Sequence, residues 1–385
     1  MKILITGNLG YVGPLVVERL RSSYPDASLV GFDIGYFAHT LTTISRTPEA
    51  VLDAQYYGDV RRFPDELLQD IDAIVYLAAI SNDPMGKEFE EITLDVNYKY
   101  AVRLARTAKE KGVKSFVFAS SCSVYGFAES GLRTEDSGLN PLTAYAKSKI
   151  NAEQDLQQIA NDEFCITALR FATACGFSSR LRLDLVLNDF VASAVTTGKI
   201  DILSDGTPWR PLIHIQDMAR AIDWGLSRDA GNGGKFLAVN TGSNEWNYQV
   251  KDLAECVAKV IPGVQISINK DAPPDKRSYQ VDFSLFRELA PNYQPQVDLI
   301  ETIRGLKDGL EKIKLSNADF RNSDFMRLKI LTNLIFKGKW DYELSGILDY
   351  THIRFFTDKS FRNQLNNQKI NYSIKHFKRN YDYMS

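Results

Sequence analysis

Short apolar runs alternate with amphipathic segments over the first half of the chain. Four of these runs, Lys2–Thr6, Leu29–Asp33, Asp72–Ile80 and Ser115–Ala119, are apolar and mostly rich in β-branched residues, which is typical of buried parallel strands. Between them apolar residues recur at helical spacing, most clearly over Lys87–Lys111. This alternation, from residue 1 to about residue 175, predicts an α/β fold built on a doubly wound parallel sheet.

A glycine turn follows the first of these strands directly. Gly7, Gly10 and Gly13 are spaced three residues apart and precede a helix. Glycines let the backbone turn tightly and approach a pyrophosphate at the positive N-terminus of that helix. Asp33 ends the second strand, where a carboxylate binds the ribose hydroxyls of adenosine and repels a 2′-phosphate. The pattern predicts a dinucleotide site that prefers NAD to NADP.

Tyr145 and Lys149 are four residues apart in a segment, 141–159, that is predicted to be helical. The spacing places both side chains on one helical face. An ammonium group beside a phenol lowers the pKa of the phenol, which provides a base near neutral pH. Ser121 or Ser123, at the end of a strand, can supply a hydroxyl to the same pocket. The pair alone is a common helix pattern, but with a glycine turn at the same sheet edge it indicates a redox acid/base set.

Composition and charge narrow the function further. The chain has 385 residues, 44% hydrophobic and 24% charged, which is typical of a globular protein. A net charge of −2 predicts neither a nucleic-acid partner nor binding to an anionic membrane, and no apolar run is long enough to span a bilayer. The four scattered cysteines favour a reducing, cytoplasmic location, and the four separated histidines predict no metal site.

Taken together, these motifs resemble the extended short-chain dehydrogenase/reductase superfamily, in particular its nucleotide-sugar epimerases and dehydratases. The resemblance covers about residues 1–310. Its matching positions are Thr6–Gly13, Asp33, Asp59, Val60, Leu77–Ala79, Val96, Asn97, Ser120, Ser121, Tyr145, Lys149, Arg170 and the stretch from Trp209 to Asp217. The resemblance implies a Rossmann domain with a smaller C-terminal α/β substrate lobe, NAD as cofactor, a nucleotide-sugar substrate and a homodimer packed through Lys87–Lys111 and Pro141–Ile159.

The resemblance also implies roles for individual residues. Tyr145 is expected to be the acid/base, Lys149 to lower its pKa, and Ser121 to bind the reacting sugar oxygen. The expected cofactor contacts are Gly7, Gly10, Tyr11, Val12, Gly13, Asp33, Asp59, Val60, Leu77, Ala78, Ala79, Asn97, Ser120, Tyr145 and Lys149. The expected substrate contacts are Ser81 and Asn82 in a strand-end loop, Ser123, and Asn188, Arg210 and Arg277 for the diphosphate. His214 is expected to be a packed structural histidine.

These residues predict an NAD-dependent nucleotide-sugar epimerase or C4 oxidoreductase that acts through a 4-keto sugar, in sugar-nucleotide or surface-polysaccharide biosynthesis. Family dehydratases place an acid just after the catalytic Ser or Thr, where this chain has Cys122 and Ser123. A serine is a poor general acid at neutral pH, so dehydration is disfavoured. Epimerases usually place an asparagine after Arg170-Phe171, where this chain has Ala172. A dehydratase, a 4-ketoreductase, an NADP-linked reductase and a non-catalytic NAD-binding scaffold remain alternatives.

The predicted domains are a cofactor domain over residues 1–175, a substrate lobe over 176–315 that is interleaved with it, and a helical extension over 316–385. Residues 338–380 resemble the C-terminal piece of class I SAM-dependent methyltransferases. The glycine-rich SAM loop of those enzymes has no counterpart in the sequence. Methyl transfer is therefore not expected.

Overall fold

The computed structural model describes residues 1–42, 47–127, 131–272 and 278–344, together with the backbone of 353–356. Its strands are β1 Lys2–Thr6, β2 Ser28–Asp33, β3 Ala54–Tyr57, β4 Ala73–Tyr76, β5 Ser115–Ser121, β6 Leu132–Arg133, β7 Cys165–Phe171, β8 Thr173–Cys175, β9 Lys199–Ile202, β10 Trp209–His214, β11 Phe236–Thr241, β12 Asn247–Gln249, β13 Gln265–Ile268, β14 Gln280–Val281 and β15 Ile353–Phe356. Its α-helices are α1 Gly13–Ser23, α2 Asp83–Glu88, α3 Glu90–Leu94, α4 Tyr100–Glu110, α5 Ala144–Ile159, α6 Val186–Thr197, α7 Ile215–Ser227, α8 Val250–Val260, α9 Ser284–Leu289, α10 Leu299–Lys312 and α11 Arg327–Phe336.

The main sheet has seven parallel strands in the order β11-β7-β5-β4-β1-β2-β3, and β15 pairs antiparallel with β3. Neighbouring strand residues face opposite sides, so Ile3 and Ile5 pack in one core and Leu4 in the other. Helices α1 and α7 pack against each other, and α5 packs against both α3 and α4. The predicted doubly wound α/β fold is confirmed.

The order of the sheet reverses at β1. Thr6 at the end of β1 lies beside Phe32 of β2 on one side and Tyr76 of β4 on the other. The loops that follow these three strands therefore open next to one another. Such a switch point is where ligands bind in open α/β sheets.

A smaller lobe holds the sheets β8-β10-β12 and β9-β13, and its core is formed with helices α6, α8 and α10. Strand β11 and helix α7 come from the same part of the sequence but belong to the main sheet and its helical layer. The chain thus passes more than once between the part that contains the main sheet and the smaller lobe. The domain limits at residues 175 and 315 stay a prediction.

The structure corrects the continuous helix that was predicted over Lys87–Lys111. Phe89 has a non-helical backbone (φ −122°, ψ 55°), which separates α2 from α3. Between α3 and α4, residues Asp95–Lys99 form a π-helical turn. The widened turn holds Asn97, whose amide exchanges two 2.9 Å hydrogen bonds with the backbone of Ile80. A π-turn of this kind often marks a functional site.

Two other predicted boundaries also shift. Helix α5 begins at Ala144 rather than near Pro141, because Thr143 caps it by accepting a hydrogen bond from the Ala146 amide. The strand predicted over Asp72–Ile80 ends at Tyr76.

Within the described ranges, no helix is long and apolar enough to cross a membrane, and no group of His, Cys, Asp and Glu side chains could hold a metal ion. The methyltransferase-like segment lies largely outside the described residues.

Candidate active site

A cavity of about 1020 Å³ opens at the carboxyl edge of the main sheet, between the sheet and the smaller lobe. Most of the predicted site residues meet there. Those that line it are Gly7, Gly10, Tyr11, Val12, Gly13, Asp33, Asp59, Val60, Leu77, Ala78, Ala79, Ser81, Asn82, Ser120, Ser121, Ser123, Tyr145, Lys149 and Arg210. Asn97 and Asn188 do not line the cavity, and Arg277 lies outside the described residues.

The three glycines of the first turn serve two different purposes. Gly7 has φ +74°, and a Cβ there would lie 2.5 Å from the backbone nitrogen of Ala78. A Cβ on Gly13 would lie 2.0 Å from the carbonyl oxygen of Asn8. A Cβ on Gly10 would meet only the Gly7 carbonyl, at 3.2 Å, so Gly10 faces open space of the cavity. Gly7 and Gly13 let the chain pack against itself, whereas Gly10 leaves room for a ligand against the N-terminus of α1.

Asp33 lies beside this turn at the end of β2. Its carboxylate accepts hydrogen bonds from the backbone amides of Leu9, at 3.0 Å, and Gly35, at 2.7 Å. Burial raises the pKa of the Asp33 carboxyl, and the two amide hydrogen bonds oppose this effect. A carboxylate fixed in this position fits the ribose hydroxyls of a dinucleotide, and the open space at Gly10 fits its pyrophosphate.

Ser121, Tyr145 and Lys149 approach one another across β5 and α5. The Lys149 ammonium lies 5.5 Å from the centre of the Tyr145 ring and donates to the carbonyl of Ala119 at 2.7 Å. The Ser121 hydroxyl accepts from the Ser123 amide at 3.2 Å and lies close enough to the Tyr145 phenol to influence its pKa. The structure therefore brings the three predicted catalytic side chains together on the cavity wall.

Burial dominates the electrostatics of Tyr145 and Lys149. Burial raises the pKa of the Tyr145 phenol to about 12, despite the lowering effect of the hydrogen bond to Ser121. Burial lowers the pKa of Lys149 to about 7, and the nearby Glu153 carboxylate opposes that shift. The phenol is thus a proton donor at neutral pH and needs added positive charge nearby to act as a base.

Beneath this set lies a buried ion pair that the sequence reasoning missed. Glu153 accepts from Arg170 through both carboxylate oxygens, at 2.7 to 3.1 Å, and from the Ser120 hydroxyl. Both charged side chains are at least 93% buried. In the sequence, the only indication that Glu153 lies near the site is its spacing from Lys149, which is one helical turn away. Ser120 lines the cavity, but its hydroxyl is engaged by Glu153.

A second ion pair joins the smaller lobe to the loop after β4. Arg182 and Asp184 pair at 2.6 Å. Arg182 also donates to the Ser81 hydroxyl at 2.9 Å, and Asn82 donates to Asp184 at 2.8 Å. Ser81 and Asn82, which are predicted substrate contacts, thus have Arg182 and Asp184 as partners, and no local pattern in the sequence indicates this. All four of these side chains belong to residues that line the cavity.

Two predicted contacts are corrected to internal roles. Asn188 is fully buried, accepts from the Gly176 amide at 3.1 Å and donates to the Tyr11 hydroxyl at 2.9 Å. Its amide is engaged by the protein, so it positions Tyr11 and does not contact a diphosphate. Asn97 is fully buried as well and holds the backbone of Ile80 behind the cavity, so its side chain is not a cofactor contact.

Two further residues have no place in the cavity chemistry. Burial lowers the pKa of His214 to about 4, and its Nδ1 accepts from the Gln216 amide, as expected of a structural histidine. Cys122 is fully buried, and its thiol donates to the carbonyl of Arg170. Burial raises the pKa of this thiol. Neither group lines the cavity.

Known proteins are similar to this chain in sequence and in fold. The chain is 29% identical over 231 residues to an uncharacterized UDP-glucose epimerase of Bacillus subtilis, covering 58% of this chain and 71% of that protein. It is 26% identical over 308 residues to a dTDP-glucose 4,6-dehydratase of Streptomyces griseus, covering 78% and 90%. The fold superposes on UDP-glucuronic acid 4-epimerase of Bacillus cereus with a TM-score of 0.69 at 23% identity, covering 81% of this chain and all of that one.

The chain also matches a family model. Residues 3–242, more than half of the chain, match the NAD dependent epimerase/dehydratase family. This range contains the glycine turn, Asp33 and the Ser121, Tyr145 and Lys149 set that line the cavity. The chain therefore belongs to the NAD dependent epimerase/dehydratase family and is an enzyme that uses NAD.

Proposed function

We propose that this enzyme is a nucleotide-sugar epimerase or C4 oxidoreductase that acts through a 4-keto sugar. The observation that carries the proposal is that Ser121, Tyr145 and Lys149 share the wall of the cavity that the glycine turn also lines. The sugar class is supported by relatives named for UDP-glucose and dTDP-glucose. We propose residues 1–175 as the cofactor part and 176–315 as the substrate part.

In this proposal, Tyr145 takes the proton from the C4 hydroxyl of the sugar, and Ser121 holds the same oxygen. NAD⁺, when bound, supplies the acceptor for the C4 hydride. Lys149 donates to the carbonyl of Ala119, so its charge stays close to the phenol as the proton moves. If the 4-keto sugar rotates before it is reduced again, the product is the 4-epimer. If the ketone leaves, the reaction is a C4 oxidation.

The smaller lobe supplies the groups proposed for the substrate. Arg210 lines the cavity from β10 and suits a diphosphate, because a guanidinium can donate two parallel hydrogen bonds. The Ser123 hydroxyl oxygen is buried at the cavity and has no hydrogen-bond partner among the described residues, so it is suited to bind a sugar hydroxyl. A contact from Arg277 stays a prediction.

A nucleotide-sugar dehydratase is the second candidate, and one observation favours it. Asp83 lines the cavity at the start of α2, and its charge raises the pKa of Tyr145. The two residues that follow Ser121, Cys122 and Ser123, are not acids. Asp83 supplies a carboxyl to the same cavity from a different loop and could protonate a leaving hydroxyl.

Replacing Asp83 tests this idea and the electrostatics together. Asp83→Asn removes a negative charge that raises the pKa of Tyr145, so we expect the acidic limb of the kcat/KM profile to move to lower pH by up to about one unit. Glu88→Gln, at an exposed position of the same helix, is the control and should leave the profile unchanged. An unmoved profile would contradict the influence of Asp83, and loss of a dehydrated product alone would make Asp83 the dehydratase acid.

The proposed function is tested by incubating the protein and NAD with UDP-, GDP-, CDP- and dTDP-sugars. An isomerised sugar without net NADH supports the epimerase, and release of NADH with a ketone supports the oxidoreductase. A 4-keto-6-deoxy sugar supports the dehydratase. Bound NAD with no turnover of any sugar would leave the scaffold alternative, and equal affinity for NADP and NAD would contradict the selectivity ascribed to Asp33.

Three further parts of the proposal concern the cell and the assembly. We propose a cytoplasmic enzyme of sugar-nucleotide or surface-polysaccharide biosynthesis. We also propose a homodimer that packs through the region of α4 and α5. Light scattering of the purified protein tests the assembly, because a monomer at micromolar concentration would contradict the dimer.

A further inference from the structure

The C-terminal extension contributes part of the cavity wall. Helix α11 begins at Arg327, well beyond the residues 3–242 that match the family. Its first turn, with Met326 before it, lines the same cavity as the glycine turn. Arg327 is only 1% exposed. A cofactor cavity that relies on this extension differs from one built by the Rossmann core alone.

Arg327 is held without a carboxylate partner. Its guanidinium donates to the Thr40 hydroxyl at 3.1 Å and to the Arg180 carbonyl at 2.8 Å, and lies 4.2 Å from the centre of the Phe37 ring. Among the described residues it forms no ion pair. Neutral oxygens and an aromatic ring orient the guanidinium but do not neutralise its charge.

The two neighbouring arginines do not share their counter-ions with it. Arg180 pairs with Glu49 at 2.6 Å, and Arg182 pairs with Asp184 at 2.6 Å. Burial and the nearby Arg182 and Arg180 charges lower the pKa of Arg327 to about 9, with Asp184 opposing this effect. Arg180 and Arg182 thus each have a carboxylate in direct contact, whereas Arg327 forms no ion pair among the described residues. A buried charge is costly unless it is paired, so this cluster is suited to take up an anion.

The position of Arg327 indicates which anion. Phe37 and Thr40 belong to the loop that follows Asp33 at the end of β2. The segment that carries Arg180 contacts the glycine turn, because the Ser178 hydroxyl donates to the Tyr11 carbonyl at 2.7 Å. Arg327 therefore lies on the side of the cavity that holds the glycine turn and the N-terminus of α1. The negative group of NAD that fits there is its pyrophosphate.

We propose that Arg327 donates to the pyrophosphate of bound NAD, so that the C-terminal extension completes the cofactor site. The start of α11 supports the same charge, since its first turn contains no acidic residue and has no side-chain cap. Bound pyrophosphate neutralises the excess charge of the arginine cluster. The inference concerns the cofactor and does not depend on which sugar the enzyme uses.

The test measures ligand binding by the full chain with Arg327→Met, which keeps the length and apolar stem of the side chain. NAD and ADP-ribose contain the pyrophosphate, adenosine contains no phosphate, and UDP represents the diphosphate of the substrate. We expect NAD and ADP-ribose to bind about 10- to 100-fold more weakly, and adenosine and UDP to bind as before. Lys337→Met, an exposed position at the end of the same helix, is the control for lost charge and should change none of the four.

The other outcomes overturn the proposal. A loss confined to UDP would assign Arg327 to the substrate diphosphate, and a loss for adenosine as well would indicate a purely structural role. Unchanged binding of all four ligands would also contradict it. If Arg327→Met does not fold, Arg327→Lys decides the question, because it keeps the charge but loses the two-pronged donor geometry. Arg327→Lys should then bind NAD more weakly than the unsubstituted protein does, and adenosine as tightly. If the substitution leaves the affinity for both ligands unchanged, the contact is refuted.

Discussion

Tyr145→Phe is expected to lower kcat by about 10²- to 10⁴-fold while leaving NAD affinity nearly unchanged. The substitution removes only the phenol oxygen, which accepts and returns the sugar proton in the proposed reaction. The ring that lies 5.5 Å from the Lys149 ammonium is retained, so the wall of the cofactor cavity keeps its shape. Steady-state kinetics with the sugar identified by the substrate panel, together with a titration of NAD, provide the measurement.

Tyr98→Phe is the matched control for this substitution. Its hydroxyl donates to Asp155 at 2.9 Å on α5 and does not line the cavity, so turnover should stay as in the unsubstituted protein. Turnover of Tyr145→Phe within about threefold of the unsubstituted enzyme would show that another group moves the proton. A joint loss of turnover and NAD binding would instead indicate a collapsed cavity.

Much of this site could be predicted because its signals are local in the sequence. The glycine turn follows β1 directly, and Asp33 ends β2, so the rule that strand ends meet at one sheet edge places them together. Tyr145 and Lys149 are one helical turn apart, and the helix imposes their proximity. Such patterns require no knowledge of contacts between distant parts of the chain.

The parts that could not be predicted depend on distant contacts or on burial. Arg182 meets Ser81 from 101 residues away, and no spacing rule links the two. Asn188 has the residue type of a polar ligand contact, but three protein groups engage its amide. The pKa of Tyr145 is raised because burial outweighs hydrogen bonding, and the extent of burial is a property of the whole fold.

The second large effect is expected from Glu153→Gln, which leaves Arg170 buried without a counter-ion. Glu153 and Arg170 are 5% and 7% exposed and pair at 2.7 Å. Removing one partner of a buried pair costs about 3–5 kcal/mol, because the remaining charge is not neutralised. The free energy of unfolding in urea at neutral pH measures this loss. Asp155→Asn is the control, since that carboxylate lies half-buried on the same helix and should cost less than about 1 kcal/mol.

A double substitution separates the ion pair from packing. Glu153→Gln with Arg170→Met removes both charges, so it should recover part of the stability that the single change loses. A double variant that is less stable than the two single losses added together would contradict an uncompensated charge as the cause. The Ser120 hydroxyl can still donate to the amide oxygen that Glu153→Gln introduces, so its hydrogen bond does not confuse the comparison.

Glu153→Gln should also affect catalysis, because Glu153 influences the pKa of Lys149. The Glu153 carboxylate raises the pKa of Lys149, which burial otherwise lowers to about 7. In Glu153→Gln the pKa of Lys149 falls further, so less ammonium is present beside Tyr145 at pH 7 and the phenolate is less stabilised. We expect kcat at neutral pH to fall and the basic limb of its profile, which follows loss of the proton from Lys149, to move to lower pH. A purely structural ion pair would reduce stability without this pH dependence, so the shape of the profile decides whether Glu153 also serves the acid/base set.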